Sequence, residues 1–324
     1  MSAFHAPAAF SRAGTGAAKG PDMPIHPSRL KTRAASPLPP SVNYHLWQPC
    51  NMRCRHCFAT FDDVKSTILP KGHLPEQQAI SLVALLCERF RKITFAGGEP
   101  TLCPWLPALV RRAHDLGAIT MLVTNATVLD EQGDDWFDRF QGTLDWLTLS
   151  IDSHSPATNE QMGRAVSGRA VSAESYVRAS DRARARGMRI KINSVVTRLN
   201  AGEDLSELLL RLAPERWKIF QALPVLGQND AGFREIACSD EDFRRFVDRH
   251  APLAARGIAV VPENNEAMRG SYAMVDPAGR FYDNVGGPHR YSRVILEVGI
   301  DEAWTDIEFS LLRFHERGGQ YNFG

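Results

Sequence analysis

The sequence lacks any run near the roughly 20 apolar residues that cross a bilayer, and residues 1–40 lack the apolar core of a secretory signal. A soluble, cytoplasmic protein with no membrane partner is therefore expected. Charge of one sign is missing too. Lys and Arg total 38 against 37 Asp and Glu, so nucleic acid is not an expected partner and any anion site must be local. Cysteine is scarce and uneven: positions 50, 54 and 57 cluster, while 87, 103 and 238 stand alone. That is not the spread framework of a disulfide-stapled secreted domain, and it fits a reducing compartment.

What is present suits a globular α/β protein, since 324 residues with 44% hydrophobic content can bury a substantial core. Residues 1–40 are rich in Ala, Pro, Ser and Gly and carry Arg12, Lys19, Arg29, Lys31 and Arg33 against Asp22 alone. They read as a flexible, disordered leader. Organelle transit peptides share this composition, but the proline spacing here opposes their amphipathic helix.

From Ser41 onward, β-rich runs at 42–47, 92–96, 119–124, 145–151, 189–196 and 216–222 alternate with helical patterns. The helices are expected near 75–90, 104–116, 132–141, 171–187 and 204–213, several closing before a glycine such as Gly117 or Gly187. Six strands with five helices between them predict a partial or complete parallel barrel over 41–223. Residues 224–324 are expected to form a C-terminal α/β extension and a tail that closes the site, with a loop at 224–238 and a helix at 240–255. Strands near 258–261, 272–276 and 281–283 and a last helix near 301–316 follow.

The run WQPCNMRCRHCF places Cys50, Cys54 and Cys57 in a C-x-x-x-C-x-x-C loop after the first strand. Three thiolates hold three corners of a four-iron cluster and leave one iron open, whereas storage ferredoxins usually close all four with cysteine. Structural zinc, with His56 as a fourth ligand, is the alternative, but no second ligand pair is present. The next strand ends in AGGEP, Ala96 to Pro100. Its adjacent glycines let a ligand approach the backbone, and Glu99 can accept bonds from an ammonium group.

This pairing of cysteine loop and GGEP resembles the radical S-adenosylmethionine superfamily, which builds a partial (β/α)6 barrel. The resemblance implies a [4Fe-4S] cluster on Cys50, Cys54 and Cys57, with S-adenosylmethionine chelating the open iron. Gly97, Gly98 and Glu99 would hold the methionine amino group and Phe58 would pack beside the adenine. One-electron reduction would cleave the sulfonium to a 5′-deoxyadenosyl radical. Among polar residues at later strand ends, Thr124, Asn125, Ser150, Asp152 and Arg164, the resemblance makes Asn125, Ser150 and Arg164 contacts for the cofactor ribose and carboxylate. Loop capping is the competing role for each.

Period-two geometry places Lys191 with Asn193, and Arg216 with Lys218, on single strand faces, and Lys92 with Thr94 and Ala96. If the opposite faces meet the helices, these cations point inward, where they need a bound polyanion or buried acids. A nucleoside triphosphate matches their number and spread; solvated strand ends are the alternative.

The segments SVNYHLWQPCNMRCRHCF, ITFAGGEP, MGR, KINSVVTRLN, RWKIFQ, VPENNEAMRGSY and RGGQY, in that order, resemble the viperin-like branch of the superfamily. That resemblance implies conversion of a nucleoside triphosphate (CTP, UTP or GTP) to its 3′-deoxy-3′,4′-didehydro form, an antiviral chain terminator. Lys92, Lys191, Arg216 and Lys218 would bind the triphosphate and Asn193 the ribose. Loss of the 3′ hydroxyl needs a proton donor, for which Tyr272 is the candidate, a core tyrosine with a satisfied hydroxyl being the alternative; Glu263 is a second acid, read first as a structural turn residue. A flavodoxin- or ferredoxin-type electron donor and a monomeric state are further expectations. Ala96 and Ala126 stand where animal members have Ser and Gly, and residues 1–40 have no counterpart to their membrane-binding helix. The competing readings are the GTP cyclase of molybdenum cofactor synthesis, which carries a second cysteine cluster not seen here, and a catalytically silent metal-binding barrel.

Overall fold

Ten strands follow in chain order: β1 (Ser41–Trp47), β2 (Lys92–Gly97), β3 (Ile119–Thr124), β4 (Trp146–Ser150), β5 (Arg189–Val196), β6 (Arg216–Gln221), β7 (Ala259–Glu263), β8 (Met274–Val275), β9 (Arg280–Asp283) and β10 (Arg290–Val294). They make one sheet in the order β10-β9-β8-β1-β2-β3-β4-β5-β6-β7. Neighbours from β1 to β7 are parallel, as is β8 to β1, while β9 and β10 run antiparallel. This is the expected partial barrel of mostly parallel strands. The computed structural model describes residues 37–323, so most of the expected leader lies outside them. No helix among the described residues is long and apolar enough to cross a membrane.

The strands alternate as their sequences require. Val42, Tyr44, Ile93, Phe95, Leu147, Ile190, Ile192, Trp217 and Ile219 are buried in the core under the helices, each burial stabilising by roughly 1.5–3 kcal/mol. Helix Leu106–Asp115 shows the matching pattern, burying Leu106, Leu109, Val110 and Ala113 at helical spacing. Helix Ala173–Ala185 starts where the Ser172 side chain accepts from the Ser175 N–H. It stops just before Gly187, at φ +80. The opposite strand faces turn Asn43, His45, Lys92, Thr94, Lys191, Asn193 and Lys218 into a central cavity.

Departures from expectation concentrate after β6. The loop foreseen at 224–238 contains a short helix, Asp230–Ile236, broken at Gly232 (φ +79), which buries Phe233 and Ile236. The single helix foreseen at 301–316 is two, Ile300–Trp304 and Leu311–Glu316. Between them Ile307 and Phe309 turn into the core, and Ser310 caps the second piece by accepting from the Arg313 N–H. The helix foreseen at 240–255 ends as an α-helix at His250 and continues as a 3-10 turn. β10 was not foreseen, because Arg290 and Arg293 leave its short stretch without apolar alternation.

Candidate active site

The loop after β1 is built on close backbone approach. A Cβ on Gly97 (φ +149) would lie 2.4 Å from the Trp47 carbonyl oxygen, and one on Gly98 would lie 2.2 Å from that of Gln48. The two glycines are thus needed first by the protein: they let the β2 end pass against the cysteine loop, where Glu99 N–H donates to the Pro49 carbonyl at 3.0 Å. The ligand-approach role expected from the sequence is not the only reason for them. Both still line the cavity.

On its other side the loop is held by residues 162–163. The Arg53 N–H donates to Gly163 O (3.1 Å) and the Arg55 N–H to Met162 O (2.9 Å). Gly163, at φ +77, has no room for a Cβ, which would sit 2.1 Å from the Arg53 oxygen. Cys50, Cys54 and Cys57 are free thiols lining the cavity. Burial raises the Cys50 thiol and pushes Cys54 up to about 12 and Cys57 to about 11. Such thiols stay protonated at neutral pH unless a metal displaces the proton. No three His, Cys, Asp or Glu side chains among the described residues gather as ligands of one ion. A cluster that gives each cysteine its own iron suits three separated thiols in a shared cavity, so the residues fit the group.

Glu99 is buried, and its Oε1 accepts from Thr101 N–H, Thr101 Oγ1 and Thr124 Oγ1, while Oε2 accepts only from Asn125 N–H (2.8 Å). Burial raises its pKa, and these bonds oppose the rise. Oε2 keeps a lone pair for an ammonium donor. Asn125 is largely engaged: Nδ2 donates to Asn51 Oδ1 at 2.9 Å and Oδ1 accepts from Thr127. It ties β3 to the cysteine loop, a role the sequence did not disclose. Ala126 adopts φ +67, the left-handed turn for which Gly is the usual residue.

Arg164 donates NH2 to the Ser150 carbonyl (2.6 Å), sets Nε 3.1 Å from Asp152 Oδ2 and reaches Cys54 Sγ with NH1 at 3.8 Å. Asp152 Oδ2 also faces His56 Nε2 at 3.2 Å. His56 therefore serves a buried ion pair. Burial would raise the Asp152 carboxyl, but Arg164 and then His56 hold it below its usual range. Phe58 lines the cavity and meets His45 edge-on at 6.0 Å.

At the far end of the same cavity sit Lys92, Lys191 and Lys218, all at least nine-tenths buried. Lys92 Nζ donates to Tyr321 Oη at 3.1 Å and lies 4.2 Å from the Phe323 ring. Lys191 has no hydrogen bond or ion pair with another described residue. Asn193 Oδ1 is buried and unpartnered beside it. Burial first, then the neighbouring cations, holds Lys92 and Lys191 well below the usual lysine range.

Arg216 does not line the cavity. It lies 4.2 Å from the ring of Tyr321, which does line it, and donates to Gly318 O at 2.7 Å. The structure thus places Arg216 against the tail rather than in the cavity lining, because RGGQY folds back over the strand end.

Lys218 forms a buried ion pair with Glu263 and donates to Tyr272 Oη at 3.0 Å. The Tyr272 hydroxyl donates to Glu263, and the Arg317 guanidinium stacks 3.5 Å from the Tyr272 ring. Burial would raise Glu263, but Lys218 and Arg317 hold its carboxyl below the usual range. Glu263 is therefore not a turn residue: it ends β7 as the counter-ion of Lys218 and Arg317. Burial also keeps the Tyr272 phenol protonated, raising it well above its ordinary value.

Residues 46–212 match the family described as the Radical SAM superfamily. This chain belongs to the radical SAM superfamily. Two bacterial proteins named S-adenosylmethionine-dependent nucleotide dehydratase are each 46% identical to this radical SAM chain. The match to that of Flammeovirga pacifica covers 88% of this chain and 96% of the relative, and that to Lacinutrix mariniflava covers 90% and 60%. This chain therefore spans only three-fifths of the longer relative. The S-adenosylmethionine-dependent nucleotide dehydratase RSAD2 of Siniperca chuatsi is 35% identical over 94% of this chain and 86% of its own. Among solved structures, native anSMEcpe with bound AdoMet shares the radical SAM fold at TM-score 0.55 and 17% identity, covering 75% of this chain and 74% of that one.

Proposed function

We propose that this radical SAM enzyme is a nucleotide dehydratase that converts a nucleoside triphosphate (CTP, UTP or GTP) to its 3′-deoxy-3′,4′-didehydro form. One observation carries the reading. A single cavity of about 670 Å³ runs from the three cysteines to buried lysines of which only Lys218 has a carboxylate partner, a volume within the usual range for small-molecule sites. The names of the relatives at 46% and 35% identity support the same reaction.

The [4Fe-4S] cluster and S-adenosylmethionine, when bound, supply a carbon radical able to abstract the ribose 4′ hydrogen. Cys50, Cys54 and Cys57 hold the cluster. The Gly97 and Gly98 backbone and Glu99 Oε2 receive the methionine amino group, Phe58 covers the adenine, and Ser150 with Arg164 borders the carboxylate. Asn125 contributes by fixing the loop rather than by direct contact. Lys92, Lys191 and Lys218 take the triphosphate, Arg216 supports it through Gly318 and Tyr321, and the free Oδ1 of Asn193 accepts from a ribose hydroxyl. Loss of the 3′ hydroxyl as water consumes a proton and one electron. Tyr272 donates that proton, and Lys218, 3.0 Å from its oxygen, is placed to replace it. The electrons come from an external flavodoxin- or ferredoxin-type donor, and the chain acts as a monomer.

Anaerobic reconstitution, then dithionite, S-adenosylmethionine and each triphosphate in turn, tests the reading by mass spectrometry. The expected product is lighter by one water and accompanies 5′-deoxyadenosine. Cys54→Ala abolishes both, whereas Tyr272→Phe keeps deoxyadenosine formation and lowers the dehydrated product by roughly 10²–10⁴-fold. If no triphosphate raises deoxyadenosine formation in the wild type, the reading fails.

A further inference from the structure

The three cysteines of the cluster loop are not equivalent. Cys50 Sγ is approached by the Met52 N–H (3.4 Å) and more distantly by Asn125 Nδ2 (4.0 Å), both neutral donors. Cys54 alone receives a charged side-chain donor among the described residues, Arg164 NH1 at 3.8 Å. That guanidinium has little freedom. Ser150 O takes NH2 at 2.6 Å, and Asp152 Oδ2 lies 3.1 Å from Nε. Asp152 is itself fixed, because its Oδ1 accepts from the Val195 N–H of β5 at 2.8 Å. Residues 162–163 run hydrogen-bonded along Arg53 and Arg55, so the Arg164 backbone cannot drift from the cysteines.

We propose that Arg164 sets the reduction potential of the cluster through Cys54, and that Asp152 is the positioning residue that aims it there. Charge-assisted donors are about twice as strong as neutral ones, and hydrogen bonds to sulfur are among the levers that tune iron–sulfur potentials. Reduction adds negative charge to the cluster. A cation donating to one of its sulfurs stabilises the reduced form and makes the potential less negative. The inference rests on the cluster and not on the nucleotide reading, so it stands or falls separately.

The test uses reconstituted protein with four irons per chain, without S-adenosylmethionine or nucleotide. Redox titration followed by electron paramagnetic resonance should give Arg164→Gln a more negative midpoint than wild type. Resonance Raman of the oxidised cluster should show a raised iron–thiolate stretch in Arg164→Gln and a smaller rise in Asp152→Asn, where one anchor of the guanidinium is weakened. If Arg164→Gln does not load, Arg164→Lys, which cannot reach all three partners at once, takes its place with the same expected direction. An unchanged midpoint in a fully loaded Arg164 variant overturns the proposal. An unchanged Raman spectrum in Asp152→Asn overturns the role given to Asp152.

Discussion

Lys191 is a buried lysine with a repelling neighbourhood, and its titration has a definite sign. Burial, then Lys218, Lys92 and Arg216, holds it well below the lysine value of 10.5. Between its folded value and that unfolded value, the unfolded chain binds the proton and the folded chain does not, so stability rises with pH across the window and is lost as pH falls. Lys191→Met removes that dependence. Urea unfolding of nucleotide-free protein at pH 7 and pH 9 should show a flatter response in the variant and a gain of about 1–4 kcal/mol at pH 7. The same variant should bind triphosphate more weakly. The position of Lys191 was legible from strand periodicity alone. That of Arg216 was not, because its separation from the cavity depends on Tyr321, a partner more than 100 residues away. Nor was the pairing of Glu263 with Lys218, which requires knowing that β7 lies beside β6.

At the scale of elements, the cysteine loop is clamped between the β2 glycines and residues 162–163. Gly163→Ala would drive a Cβ into the Arg53 carbonyl at a backbone angle costly for any L side chain. We expect it to lower thermal stability by about 1–3 kcal/mol and, more tellingly, to cut the iron retained per chain after reconstitution to below half of wild type. Iron assay on matched samples decides this. The six strands of the core and their helices were legible because each has one apolar face and a turn residue at its end. β10 and the divided terminal helix were not, since Arg293 finds Asp306 and Glu302 only after the chain has folded back, and local pattern carries no trace of such partners. The glycines of GGEP were legible as a close approach, but not which chain approaches.

For the molecule as a whole, one curved sheet puts the three thiols and the lysines around a single space, and Arg317, Gly319 and Tyr321 join its wall near Lys92. That wall has a particular electrical character. Lys92 rests on ring faces and a phenol oxygen and Arg216 on a carbonyl and a ring, while Lys218 and Arg317 share one carboxylate, Glu263. Dipoles and ring faces hold cations in place without neutralising them. An arriving anion therefore finds Lys92 and Lys191 with no acid to displace among the described residues, and the barrel lining acts as an ion exchanger short of its own counter-ions. Inorganic tripolyphosphate, with no sugar or base, should raise the melting temperature of metal-free protein. At 100 times its dissociation constant the gain is about 2.7 kcal/mol, and sodium chloride at equal ionic strength should not reproduce it. A melting curve indifferent to tripolyphosphate would mean that the lysines are not a phosphate site, whatever reaction the cluster starts.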